Sequence, residues 1–251
     1  MSKQIPDLTM VIPAYNEEKL IGITLQSLID YLYTKHMNFE IIVVDDGSTD
    51  RTVELAGRFE REKENDRNVK ILKNGSNRGK GFALRQGMLA GRGQIRLFMD
   101  ADLPFELDVI EEIIKKIHSG CQVVVGSRDL PGSTLVGVPF MRFLAGQVFS
   151  LFVQLFAFRG IRDTQCGLKG FSGQTAQQLF SLATISDFSI DVELLFIAKK
   201  FRFRICKIPV RMTGFRGDSR IRLFSDSVKM FLDLLFIRWN DLIGKYDPHH
   251  Q

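Results

Sequence analysis

The sequence predicts an α/β chain with a mostly parallel sheet flanked by helices. Three observations carry that reading. Short apolar runs alternate with amphipathic stretches through the first half, the pattern of strands joined by crossover helices. Several of these runs end directly in acidic or amide residues, as strands do at the carboxyl edge of an open sheet where ligands bind. Finally, 251 residues at 45% hydrophobic and 25% charged leave material for a sizeable core.

Taken in order, strands are expected at Leu8–Ile12, Glu40–Val44, Val69–Leu72, Ile95–Met99 and Cys121–Gly126. Helices fill the gaps at Glu18–Tyr33, Asp50–Glu62, Lys80–Ala90 and Leu107–Ser119. Pro13 is expected to stop pairing at the end of the first strand, and Ser48-Thr49-Asp50 supplies capping chemistry for the second helix. This half, to about Ser127, has the look of a nucleotide-binding doubly wound sheet.

Beyond Pro131-Gly132-Ser133 the texture changes. Phe143 to Phe158 carries no charge and only Gln147, Ser150 and Gln154 as polar side chains. It is too short for a membrane span and fits either a buried core helix or a helix lying in a bilayer interface. Leu223 to Ile243 repeats apolar residues at helical spacing and serves either use. Between Arg202 and Arg222 stand seven cations against one acid, Asp218, a solvated face or an anion-binding segment.

Composition excludes several classes. Cys121, Cys166 and Cys206 have no CxxC spacing, so neither a disulfide framework nor a zinc site is indicated, and a reducing cytosolic compartment fits. The four histidines form no metal-ligand pattern. The chain opens polar, without signal peptide or anchor, and its charge of +5 is mild. No Walker loop or dinucleotide fingerprint is present.

The chemistry concentrates at strand ends. Gln94-Ile-Arg-Leu-Phe-Met-Asp-Ala-Asp-Leu-Pro104 reads as a buried strand running into Asp100 and Asp102. Residues two apart in an extended segment face one side, so both carboxylates can meet one hard cation such as Mg²⁺ or Mn²⁺. Tyr15, Asn16 and Glu17 follow the first strand, and Asp45 and Asp46 the second, where a nucleobase or ribose can be recognised. Asn77-Arg-Gly-Lys80-Gly opens the third helix, and helix N-termini with nearby cations favour phosphate.

These motifs, VIPAYNEE, VVDDGSTD, NRGKGFALRQG, MDAD and VVGSRD, in this order and spacing, closely resemble the family 2 glycosyltransferases of GT-A fold. DTQCGLK, GDSRI and DLLFIR extend the resemblance over essentially the whole chain, toward the polyprenyl-phosphate hexosyltransferases and especially the dolichyl-phosphate glucosyltransferases. The resemblance implies one GT-A catalytic domain over 1–251, with a nucleotide-sugar half at 1–127 and an acceptor half at 128–251 whose amphipathic helices face a membrane. Pro13, Tyr15, Glu17, Asp45 and Asp46 would hold the nucleoside and Lys80 the diphosphate, while Asp100 and Asp102 would bind Mg²⁺ or Mn²⁺.

Transfer from a nucleotide sugar to a lipid monophosphate brings two anions together, so the acceptor side needs cations. Arg128, Lys169, Arg216 and Arg220, with Ser219, are the candidates, and Asp163 is the acid placed to orient or deprotonate the acceptor. With Asp102 these give a catalytic set of Asp102, Asp163, Arg128 and Lys169. The implied donor is UDP-glucose, with GDP-mannose the alternative; the implied acceptor is a polyprenyl or dolichyl phosphate, with a polysaccharide or other soluble acceptor as the second reading. No nucleic-acid partner is expected. A peripheral protein at the cytoplasmic face of a membrane follows.

Overall fold

A computed structural model of the chain describes residues 5–61, 69–134, 140–213 and 223–247. The first half follows the expected alternation: β1 (Leu8–Ala14), α1 (Ile21–Thr34), β2 (Phe39–Asp45), α2 (Thr52–Arg61), β3 (Val69–Lys73), α3 (Lys80–Ala90), β4 (Ile95–Met99), α4 (Val109–His118) and β5 (Val123–Ser127). The second half adds α5 (Phe140–Phe156), β6 (Leu168–Ser172), α6 (Gly173–Leu182), α7 (Ile190–Lys200), β7 (Ile205–Pro209) and α8 (Leu223–Leu242). The strands make one seven-stranded sheet in the order β3-β2-β1-β4-β6-β5-β7. Only β6 runs antiparallel to its neighbours, β4 and β5.

The sequence reading assigns neither β6 nor β7 to the sheet. Leu168-Lys-Gly-Phe-Ser172 carries no strong strand signal, since lysine and glycine are weak strand formers; pairing on both edges makes it a central strand. Pro13, too, behaves otherwise than expected and does not end β1. That strand continues against β2 through Pro13↔Val44 and Ala14↔Asp45. Ala14 O accepts from Asp46 N at 2.8 Å, so Pro13 turns its missing N–H the other way, where pairing with β4 has already stopped at Val11↔Phe98. Helix α1 starts late because the Glu17 carbonyl first takes Leu20 N and Ile21 N at 3.0 and 2.9 Å in a turn.

A second correction concerns the cysteines. Cys121 and Cys206 form a disulfide with Cα atoms 6.0 Å apart across 85 residues of chain, because β5 pairs with β7 in a register that sets Val124 beside Cys206. Sequence spacing carries no trace of such a tertiary pairing, and the bond is at odds with the reducing compartment expected from it.

The core lies on both faces of the sheet. Helices α1, α2 and α4 cover Met10, Ile12, Leu97 and Met99, and α3, α6 and α7 cover Val11, Val44, Phe98 and Phe171. Outside α7, α5 and α8 pack against each other, with Phe152 and Phe156 in edge contact with Phe231 at 5.3 and 5.6 Å. The helix left open between core and interface thus has one side in the core and an apolar side that is exposed. Phe149 and Val153 point inward, while Leu151 and Leu155 stay exposed two residues on. Leu232, Trp239 and Leu242 continue the exposed apolar face along α8. Among the described residues no helix is long and apolar enough to cross a membrane.

Candidate active site

The carboxyl ends of β1, β2 and β4 meet the N-terminus of α3, and there most of the expected donor residues come together. Asn16 adopts φ +52°, a left-handed conformation that asparagine tolerates. It turns the chain so that Asn16 N donates to Ser48 Oγ at 2.8 Å and Glu17 N to Thr52 Oγ1 at 2.7 Å. Tyr15 and Glu17 are left half-buried at the edge. The two acids after β2 do different work. Asp45 accepts from Ser48 N at 3.3 Å and closes its own turn. Asp46 accepts from Arg78 N and Gly79 N, at 3.0 and 2.7 Å, and from Asn74 Nδ2 at 2.8 Å. Asp46 thus fixes the backbone that leads into α3.

Lys80, the first residue of α3, reaches Asp100 Oδ1 at 2.6 Å. Burial alone would lower the Lys80 ammonium, but the charges of Asp100, then Asp191, then Asp102 outweigh it and push its pKa up. Asp100 and Asp102 lie on a tight turn beyond β4 rather than on the extended segment expected. Leu103 N donates to Asp100 O at 3.3 Å, and Leu103 takes φ +46°, a costly conformation for a branched residue. Thr24 of α1 holds the turn by donating to Ala101 O at 2.6 Å. Thr213, beyond β7, holds it from the far side, Thr213 N donating to Pro104 O at 3.0 Å.

Just beyond β5, Arg128 meets Asp163 fork to fork. Arg128 Nε donates to Asp163 Oδ2 at 2.8 Å and Nη2 to Oδ1 at 2.7 Å. Arg128 N donates to Oδ2 at 2.8 Å as well. Burial would raise the Asp163 carboxyl; the Arg128 guanidinium overcomes it and holds the group below its ordinary range. Arg128 is pushed up by the same pairing, and the Asp100 charge reaches it too. Asp100 is paired directly with Lys80, while the direct partner of Arg128 is Asp163.

The Lys169 ammonium, expected on the acceptor side, lies in the core. The residue is 0% exposed, and its Nζ donates to Asp191 Oδ1 at 2.5 Å and to Cys166 O at 2.8 Å. Arg216, Ser219 and Arg220 lie outside the described residues. Within the described part of the basic run, Arg211 is neutralised by Glu106 and Asp108. Sequence reasoning missed three contributors: Thr24, Asp191 and Gly167. A Cβ on Gly167 would overlap the Asp100 carboxylate. The glycine of the CGLK string, next to a candidate carboxylate in space but distant in sequence, offered no local signal.

The donor set fits a hard divalent cation. Asp100 and Asp102 stand two residues apart on one turn, Lys80 is seated against Asp100 and feels the charge of both, and Gly167, having no side chain, leaves room for the Asp100 carboxylate. Among the described residues no three His, Cys, Asp or Glu side chains cluster to hold a metal alone. Asp100 and Asp102 would be the protein ligands, with water and substrate phosphate completing the shell, as Mg²⁺ commonly requires.

The chain is similar in sequence and in fold to known proteins. The sequence pattern described as Glycosyl transferase family 2 matches residues 9–177. The dolichyl-phosphate beta-glucosyltransferase of Dictyostelium discoideum is 37% identical over 248 residues, covering 94% of this chain and 75% of that protein. The enzyme of that description from Homo sapiens is 34% identical over 251 residues, covering 95% and 77%. In fold, the chain resembles glucosyl-3-phosphoglycerate synthase of Mycobacterium tuberculosis, solved with Mn²⁺, UDP-glucose and phosphoglyceric acid. The TM-score is 0.67 at 19% identity, over 92% of this chain and 79% of that one.

Proposed function

The chain belongs to glycosyl transferase family 2 and is a glycosyltransferase of GT-A fold, and from that premise we propose that it transfers glucose from UDP-glucose to a dolichyl or other polyprenyl monophosphate. The observation that carries the reading is the ion pair of Lys80 with Asp100 at 2.6 Å beyond the carboxyl end of β4. Lys80, beside the metal-binding carboxylate, serves the departing diphosphate, and Arg128, held by Asp163, serves the arriving phosphate. The choice of glucose and of a dolichyl acceptor rests on the relatives at 37% and 34% identity.

Pro13, Tyr15, Glu17 and Asp45 border the space at the ends of β1 and β2 where the uracil and ribose bind. Asp46 acts at one remove, by fixing the backbone before α3. Lys80 binds the diphosphate. Asp100 and Asp102 would hold Mg²⁺ or Mn²⁺, which when bound would neutralise the charge that develops on the leaving group. On the other side Arg128 binds the lipid phosphate, which is already anionic because its second pKa lies near 6, as in a phosphoserine. No general base is required. Asp163 orients Arg128; a carboxyl held below its ordinary range and doubly paired is a poor proton acceptor. Lys169 acts from within, as the partner of Asp191. One displacement by the phosphate oxygen inverts the anomeric carbon and gives a β-linked product.

The lipid substrate places the reaction at a membrane surface. The apolar faces of α5 and α8 are the parts that enter it, with the cations between Arg202 and Arg222 adding attraction to anionic headgroups at the cytoplasmic face. Labelled transfer from UDP-glucose and GDP-mannose to polyprenyl phosphate in vesicles tests the reading. Glucosyl phospholipid of β configuration is expected. Mannosyl transfer in its place, or an α-linked product, would overturn the donor or the mechanism.

A further inference from the structure

We propose that Glu193 is a positioning residue for the donor diphosphate, holding the loop between α6 and α7 against the N-terminus of α3 so that Lys80 stays aimed at Asp100. The inference rests on the donor role of Lys80 above.

Glu193 lies in the first turn of α7 and is 0% exposed. Its carboxylate takes Thr184 N at 2.9 and 3.0 Å, Ile185 N at 2.9 Å and Thr184 Oγ1 at 2.7 Å. The phenol of Tyr246, beyond α8, donates to it at 2.7 Å. Asn240 of α8 ties this group together, donating to Thr184 Oγ1 at 3.1 Å and to Tyr246 OH at 3.3 Å. Every partner is a donor, and two are backbone amides of a loop with no strand or helix to satisfy them. A buried carboxylate so used fixes backbone, because losing it would orphan several donors at once.

The loop it fixes touches the site. Ser186 O accepts from Phe82 N, in the first turn of α3, at 3.0 Å. The carbonyls of Ile185 and Ser186 press on Gly81 and Gly79 so closely that a Cβ at either glycine would collide with them. Gly79 holds φ +97°, which glycine alone adopts readily. Its own N–H is taken by Asp46. The turn that carries Lys80 is thereby clamped between Asp46 on one side and the Glu193-held loop on the other. Asp191, two residues before Glu193 and nearly opposite on the helix, adds its charge to Lys80 from the sheet side. The first turn of α7 thus addresses Lys80 twice, once through backbone and once through charge.

A purely structural carboxylate makes a different prediction, and Glu40 supplies the comparison. It is also buried, at 8% exposure, and accepts from Thr9 Oγ1 at 2.7 Å, but it sits toward the amino ends of the strands, far along the sheet from Lys80. The test compares Glu193→Gln, Tyr246→Phe and Glu40→Gln by calorimetry with UDP, GDP and pyrophosphate, and by KM for donor and acceptor. Glu193→Gln puts an amide donor against donors. It should weaken nucleotide-diphosphate binding and raise the donor KM about tenfold, with the acceptor KM within about twofold of wild type. Tyr246→Phe, which deletes one donor only, should give about a threefold effect in the same direction. Glu40→Gln should lower the melting temperature while leaving donor binding unchanged. If both α7-side variants bind nucleotide as Glu40→Gln does, the proposal is overturned while the donor site stands. Should Glu193→Gln fail to fold, Tyr246→Phe decides by the same criterion. If the wild-type protein binds none of the three probes, the donor reading and the proposal fall together.

Discussion

Arg128 and Asp163 engage each other through both forks, at 2.7 and 2.8 Å, with the carboxylate side chain 9% and the guanidinium 35% exposed. The acid is spent on the cation, and in the proposed acceptor role of Arg128 it is the exposed part of that side chain that would meet the phosphate. Arg128→Ala and Asp163→Asn should each raise the acceptor KM more than the donor KM. Because they act as one unit, the double variant should fall short of the sum, with a coupling of about 0.5–3 kcal/mol. Strict additivity in a double-mutant cycle would separate them.

The same pair sets an acid limit. The folded Asp163 carboxyl titrates below its ordinary value of 3.8, so its contribution to stability is complete above about pH 4 and is lost as pH falls through the lower folded value. Melting temperatures of wild type and Asp163→Asn should differ most above about pH 5 and converge in stronger acid. A gap that widens on acidification would reverse the sign of this linkage.

Asp102→Asn should cost about 10²–10³ in turnover with the fold intact, since the substitution keeps the side chain's size on a turn at the sheet's edge. Near wild-type turnover, with unchanged dependence on Mg²⁺ or Mn²⁺, would remove Asp102 from the metal site.

Gly167→Ala is the sharper probe of Asp100. The new Cβ meets only the far end of the Asp100 side chain, which can swing aside. Stability should fall by about 1 kcal/mol, about 2–4 °C in melting temperature. Displacing the carboxylate from Lys80 should lower kcat/KM about 10²-fold. An alanine variant as active as wild type would show that Asp100 need not stay where it is.

On the outer helices, Leu151 and Trp239 are 56% and 60% exposed, so Leu151→Glu and Trp239→Glu should leave the melting temperature nearly unchanged. Each should weaken flotation with anionic vesicles about tenfold or more, since a large apolar side chain is worth about 1.5–3 kcal/mol on burial. Unaltered flotation of both variants would assign membrane contact to another surface.

What the sequence determined by itself is what short-range pattern encodes. The alternation of apolar runs with helical stretches gives the first-half elements β1 to β5 and α1 to α4, to within a few residues at their ends. The residue types at strand ends locate the Asp100, Asp102 and Lys80 cluster, because in a parallel sheet all such ends lie along one edge. Tertiary structure alone decided the pairings between distant segments. It inserted β6 antiparallel between β4 and β5, and with it buried Lys169 against Asp191. It turned Asp163 into the partner of Arg128, joined Cys121 to Cys206, and set Gly167 against Asp100 and the Thr184–Ser189 loop against α3. Whether a lysine faces a ligand or the core depends on which strands flank it, and that follows from the free energy of the whole sheet rather than from the residues beside it.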